Sequence, residues 1–148
     1  MAGEYQKDHV RELSCIAEEL ELEGRTFLRC FSVEELAREY NGIGPEWIGA
    51  EVRAKTTKYL SLFEPAALIH DLRNYMSDGT REAFAFANKE FLANCLKLAN
   101  DRYSWWDPRL YRARAVARLL YAFVQGQGGW RAWLDCFNKN QNKKGKMK

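Results

Sequence analysis

The sequence predicts an all-α fold: a single-domain helical bundle built around an antiparallel helix hairpin, with a glycine-rich loop before the hairpin. Three observations predict it. Apolar residues recur at three-four spacing, as in Val10, Leu13, Ile16, Ala17 and Leu20. Helix-start signals are frequent, and no stretch alternates apolar and polar residues as a half-buried strand would. The 148 residues, 47% hydrophobic and 14% aromatic, suffice for one sizeable core over residues 1–137.

The first helix is expected over Tyr5 to Leu22, closed by Gly24; residues 24–31 could instead hold a short hairpin. Ser32-Val33-Glu34-Glu35 has the capping-box pattern, in which the Ser hydroxyl and the Glu carboxylate satisfy each other's free backbone N–H groups, and it opens a short helix to Tyr40. Asn41-Gly42-Ile43-Gly44-Pro45 then interrupts regular structure. Pro45 and Pro65 each suit the first turn of a helix, where a missing N–H costs nothing. They predict one helix carrying Trp47, Ile48, Val52 and Tyr59, and a separate one from Pro65 to Met76.

Asp78-Gly79-Thr80 reads as a turn with Thr80 as N-cap of a long helix to Asn100. Asp107-Pro108 pairs an N-cap with proline at the next position and opens a helix through Phe123. Gly126, Gly128 and Gly129 should end it, before a short helix at Trp130–Leu134. Residues 138–148, rich in Asn and Lys, read as a disordered basic tail.

Charge and cysteine usage narrow the function classes. Five of the 23 basic residues, Lys139, Lys143, Lys144, Lys146 and Lys148, lie in that tail, which leaves 18 against 20 acids elsewhere. The body is slightly acidic, which argues against a nucleic-acid groove. No secretion signal or apolar run of membrane-spanning length is encoded, so a cytoplasmic protein is expected, with virion or lysis association an alternative. Cys15, Cys30, Cys95 and Cys136 stand far apart, without metal-site spacing, and read as reduced, mostly buried residues.

His70-Asp71 sits inside Ala66-Ala67-Leu68-Ile69-His70-Asp71-Leu72, where two ionisable groups in an apolar helix are costly unless they are used. If the turn centres near Asp78-Gly79, residues at equal depth on the two hairpin helices have numbers summing to roughly 157 to 158, at about 1.5 Å rise per residue. His70 then faces Asn88, whose amide oxygen can take a proton from one imidazole nitrogen and leave the other as a general base. Asp71 points about 100° away, where a carboxylate could hold a metal. The bland alternative is a polar pair at the hairpin edge, with Asp71 meeting Arg73, Arg81 or another surface base.

Tyr40-Asn41-Gly42-Ile43-Gly44, His70-Asp71 and Ala87-Asn88-Lys89-Glu90-Phe91 together resemble the phospholipase A2-like superfamily. They look like its glycine-rich calcium loop, its His-Asp helix and its partner helix. Phage- and virus-encoded members, which lack the dense disulfides of secreted enzymes, are the most similar. Arg112-Ala113 through Gly128-Gly129-Trp130-Arg131-Ala132-Trp133 also resembles small phage proteins. The resemblance implies His70 as the base, Asn88 as its partner, and Ca²⁺ held by Asp71 and the carbonyls of Tyr40, Gly42 and Gly44, acting on a phospholipid ester. The family's aspartate stands here as Asn88, which implies weakened hydrolysis. The family's tyrosine four residues after the histidine is also displaced, to Tyr75.

Two other readings come from the residues. His9, His70-Asp71 and Asp101 or Asp107 repeat the residue order of HD-type metal-dependent phosphohydrolases, with a transition metal in place of calcium. Tyr103, Tyr111 and Tyr121 could add to a surface but more often fill the core at helical spacing, whereas Trp105-Trp106 points to a non-catalytic structural or interaction protein, because adjacent tryptophans cannot both face one core from a helix. That surface would serve a lipid or a protein partner. Arg112, Arg114 and Arg118 read as a solvated stripe.

Overall fold

The computed structural model describes residues 3–41 and 50–146, with the side chains of 50–58 excepted. Among the described residues the chain is all α-helix: α1 (Glu4–Glu19), α2 (Arg25–Leu28), α3 (Val33–Glu39), α4 (Ala50–Tyr75), α5 (Arg81–Arg102), α6 (Pro108–Val124) and α7 (Gln127–Lys146). No described helix is long and apolar enough to cross a membrane.

The caps form where the local chemistry asks for them. Ser32 and Glu35 close the full capping box on α3. The Thr80 hydroxyl accepts from the Ala83 N–H at 3.2 Å, and Asp107 accepts from the Arg109 N–H at 2.9 Å ahead of Pro108.

The centre of the molecule is α4, which packs against each of the other six helices. Its sequence explains why. Ala66, Ala67, Leu68 and Ile69 are consecutive and all buried, so this segment is apolar around its circumference and needs neighbours on every side. Phe63 and Leu72 fill the core above and below them, and α5 brings Phe91, Cys95, Leu98 and Ala99 against it.

Packing also overrules the helix-start signal of Pro65. Pro65 lies inside α4, which runs unbroken where two helices were expected. An interior proline removes a hydrogen bond to the residue four before it and costs about 3 kcal/mol. Here the burial of Phe63, Pro65 and Ala66 offsets that cost, and the carbonyl left without a donor belongs to exposed Ser61. Pro45, Trp47 and Ile48 lie outside the described residues, as does the side chain of Val52.

Three further expectations are corrected. Residues 24–31 hold a single helical turn, α2, entered through Gly24 at φ 85°. A Cβ on Gly24 would come within 2.8 Å of Ile69 Cγ2, so only glycine fits. Beyond Gly126 the chain re-enters helix, with Gly128 and Gly129 inside α7; at Gly129 a Cβ would overlap the Val124 carbonyl, which makes the corner tight. The stretch read as a disordered tail is helical through Lys146. Trp133 is buried against Phe84, and Asn140 Nδ2 donates to the Tyr75 carbonyl at 2.6 Å, so α7 is tied to the end of α4 beyond Phe137.

All four cysteines are free, but Cys15 and Cys30 are exposed and only Cys95 is fully buried. Burial pushes the Cys95 thiol well above its ordinary pKa, which leaves it unreactive.

Candidate functional site

α4 presents His70 and α5 presents Asn88 into one buried layer. The His70 Nε2 lies 2.8 Å from the Asn88 Oδ1, the contact that the helix-rise arithmetic anticipates. The Asn88 amide is itself oriented, because its Nδ2 donates to the Val124 carbonyl at 3.5 Å. With nitrogen on that side, the oxygen faces the ring, so Nε2 carries the proton and Nδ1 keeps the lone pair. Phe91 packs on the imidazole at 5.0 Å between ring centroids.

Burial lowers the His70 pKa, and the Asn88 hydrogen bond only partly opposes this. His70 is therefore neutral at pH 7, the state a general base needs. The same shift links folding to pH. Unfolded His70 binds a proton below about 6.5, while the folded chain resists it, so the unfolded state holds more protons there. Stability should be flat above this value and fall as pH drops below it towards the lowered folded pKa. Urea midpoints measured from pH 7.5 to 5 should show that decline, and a folded His70→Gln variant should show less of it. An identical slope in the variant would assign the decline to other groups.

Asp71 points out of this layer. Its Oδ2 accepts the Asn41 N–H at 2.8 Å, at the head of the glycine-rich segment. Of the bases near it in sequence, Arg73 pairs with Glu90, and the Arg81 guanidinium lies over the Trp130 ring. Tyr40, just before that segment, is buried, and its hydroxyl donates to Glu64 Oε1 at 3.0 Å. Burial and then the Glu64 carboxylate raise the Tyr40 pKa far above its usual value, which keeps it a neutral donor. Gly42 and Gly44 lie outside the described residues.

Sequence reasoning missed Glu64, the hub of this second cluster. His9 Nε2 lies 3.3 Å from the Glu64 carboxylate, with Tyr5 stacked on the far face of His9. That placement puts His9 on Glu64, whereas the HD-type reading needs it beside His70 and Asp71. Glu64 and His70 are six residues apart on one helix, about 9 Å of rise, and the two histidines serve different partners. Asp107 is engaged by Arg109, and no metal-holding group of three or more His, Cys, Asp or Glu occurs among the described residues.

One cavity of about 350 Å³ lies away from the dyad, between α1, α4 and α5, lined by Ile16, Ser61, Pro65, Leu98, Asp101 and Tyr103 among others. Trp105 and Trp106 are both exposed, at 79% and 69%, where only one was expected at the surface, and Tyr111 is exposed beside them.

No protein-family model, curated protein or solved structure shows significant similarity to the chain.

Proposed function

We propose that the chain is a phospholipase A2-like protein in which His70 and Asn88 form a base and its orienter, with capacity for ester hydrolysis reduced by the neutral partner. The observation that carries this is the buried 2.8 Å contact between Nε2 and Oδ1, which leaves Nδ1 as the basic atom. Support comes from Asp71, one residue on, whose carboxylate lies at the entrance to the Tyr40–Gly44 segment. A carboxylate beside backbone carbonyls is an all-oxygen donor set of the kind calcium takes. Asp71 with the carbonyls of Tyr40, Gly42 and Gly44 would hold the ion. When bound, calcium would polarise the ester carbonyl.

His70 Nδ1 would then take a proton from the attacking water while Asn88 holds the ring against rotation. The imidazolium so formed gains no countercharge from Asn88, and Phe91 adds apolar surroundings that disfavour it. A slow enzyme is the expectation. Fatty-acid release from phosphatidylcholine vesicles should be calcium-dependent and fall by about 100-fold or more in His70→Gln, the usual contribution of a general base. Equal release in that variant, or in EDTA, would refute the reading.

A second reading, a non-catalytic interaction protein on the same scaffold, is favoured by the exposed Trp105-Trp106 pair and by the 9% exposure of His70. Absence of hydrolysis of any phospholipid ester would favour it.

A further inference from the structure

Trp105 and Trp106 form the connection between α5 and α6, and the structure holds that corner in place. Asp107 caps α6 directly behind it, and the Tyr111 hydroxyl donates to the Trp105 carbonyl at 2.9 Å. The corner is thus a fixed feature that presents two indoles outward.

α6 continues the same surface. Its buried face is Leu110, Ala113, Val116, Ala117 and Leu120. At about 100° per residue, the opposite face carries Tyr111, Ala115 and Arg118, with Arg112 on one flank; all four are exposed. α6 contains four arginines and no acidic residue. Arg109 is neutralised by Asp107, whereas Arg112 and Arg118 have no carboxylate partner among the described residues. The outward surface is therefore aromatic at one end, small and apolar along the helix, and basic, within a body otherwise slightly acidic.

We infer that the Trp105-Trp106 corner and the outward face of α6 dock on an anionic lipid surface. Tryptophan favours the headgroup level of a bilayer, where its ring leaves water while its N–H stays hydrated, and arginine pairs with lipid phosphate. The corner is an exposed link between two helices, and a fluid bilayer accepts its indoles without a matching socket. The charge complement is an anionic leaflet. This surface is separate from His70 and Asn88, and its binding can be read without hydrolysis.

The full chain is sedimented in EDTA with vesicles of phosphatidylcholine alone, or of phosphatidylcholine and phosphatidylglycerol in equal parts. Binding should be at least tenfold stronger to the mixed vesicles. Trp105→Ala/Trp106→Ala should weaken it by about tenfold or more, and Arg112→Gln/Arg118→Gln by about thirtyfold, the effect of two basic contacts. These side chains are exposed, so the variants should melt with the parent; should the tryptophan variant not fold, the arginine variant decides. Lys143→Gln/Lys144→Gln should keep most of the binding. Equal binding to the two vesicles, or loss in the lysine variant alone, overturns the proposal. So does a tryptophan-dependent complex with single-stranded oligonucleotide or with a second copy in place of vesicle binding.

Discussion

Asn88→Asp is expected to raise the pKa of His70 and to increase ester hydrolysis by about three to four orders of magnitude, the converse of the loss when an aspartate that orients a catalytic histidine becomes asparagine. The carboxylate would replace an amide oxygen already 2.8 Å from Nε2, so no rearrangement is needed to form the charged pair. An opposite charge at that distance favours the imidazolium, which is the species formed as His70 accepts a proton. The change has a structural cost. The Asn88 Nδ2 donates to the Val124 carbonyl, and a carboxylate oxygen in its place would face that carbonyl without a proton between them. With residue 88 at 1% exposure, a loss of about 1–3 kcal/mol in stability follows. The pH linkage should also reverse. With its folded pKa above the unfolded value, His70 would stabilise the variant below about pH 6.5 and lose that contribution as pH rises through the raised value. Imidazole titration by NMR, fatty-acid release and urea melts on the one variant separate these effects. A folded variant whose His70 titrates higher yet hydrolyses no faster would mean that the dyad is a core contact rather than a base and its orienter.

Much of the dyad was legible in the sequence, for a physical reason. Thr80 and Asp107 mark helix starts through hydrogen bonds to residues two or three positions away, information contained in the local sequence. Reading the two helices as a hairpin turns sequence separation into depth, which anticipates the contact of Asn88 with His70. The Glu64, Tyr40 and His9 cluster was not legible, because it depends on how α1 and α3 lie against α4, and no local rule sets that. The same holds for Pro65. Its backbone chemistry argues for a helix start, and only the burial around it shows why the helix tolerates it. Asp71 illustrates the limit: its orientation away from His70 followed from the helical step, but the backbone N–H of Asn41 that it accepts from carries no side-chain signature.

The layer that holds His70 and Asn88 in register is the neighbouring ion pair, and breaking it should be costly. Arg73 Nε and Nη2 donate to the two oxygens of Glu90 at 3.0 Å each, three residues beyond His70 on α4 and two beyond Asn88 on α5. The Glu90 side chain is 3% exposed and that of Arg73 is 25% exposed. The guanidinium also lies 4.1 Å from the centroid of the Phe27 ring, which ties α2 to the pair. Removing one member of a buried pair costs about 3–5 kcal/mol, mostly through the charge left behind. The unequal exposure decides the order. Glu90→Ala leaves a guanidinium that water partly reaches and should fall near the lower figure, while Arg73→Ala strands a carboxylate shut off from solvent and should fall near the upper. Replacing both by Met removes both charges and should cost less than either single change, since apolar pairs of similar volume often substitute for buried ions without loss. Urea denaturation of the three variants measures the order directly. A cost below about 1 kcal/mol for Glu90→Ala would place the pair among surface ion pairs, whose contribution is of that size, and would leave the register of α4 on α5 to the apolar contacts of Ile69, Leu72 and Phe91.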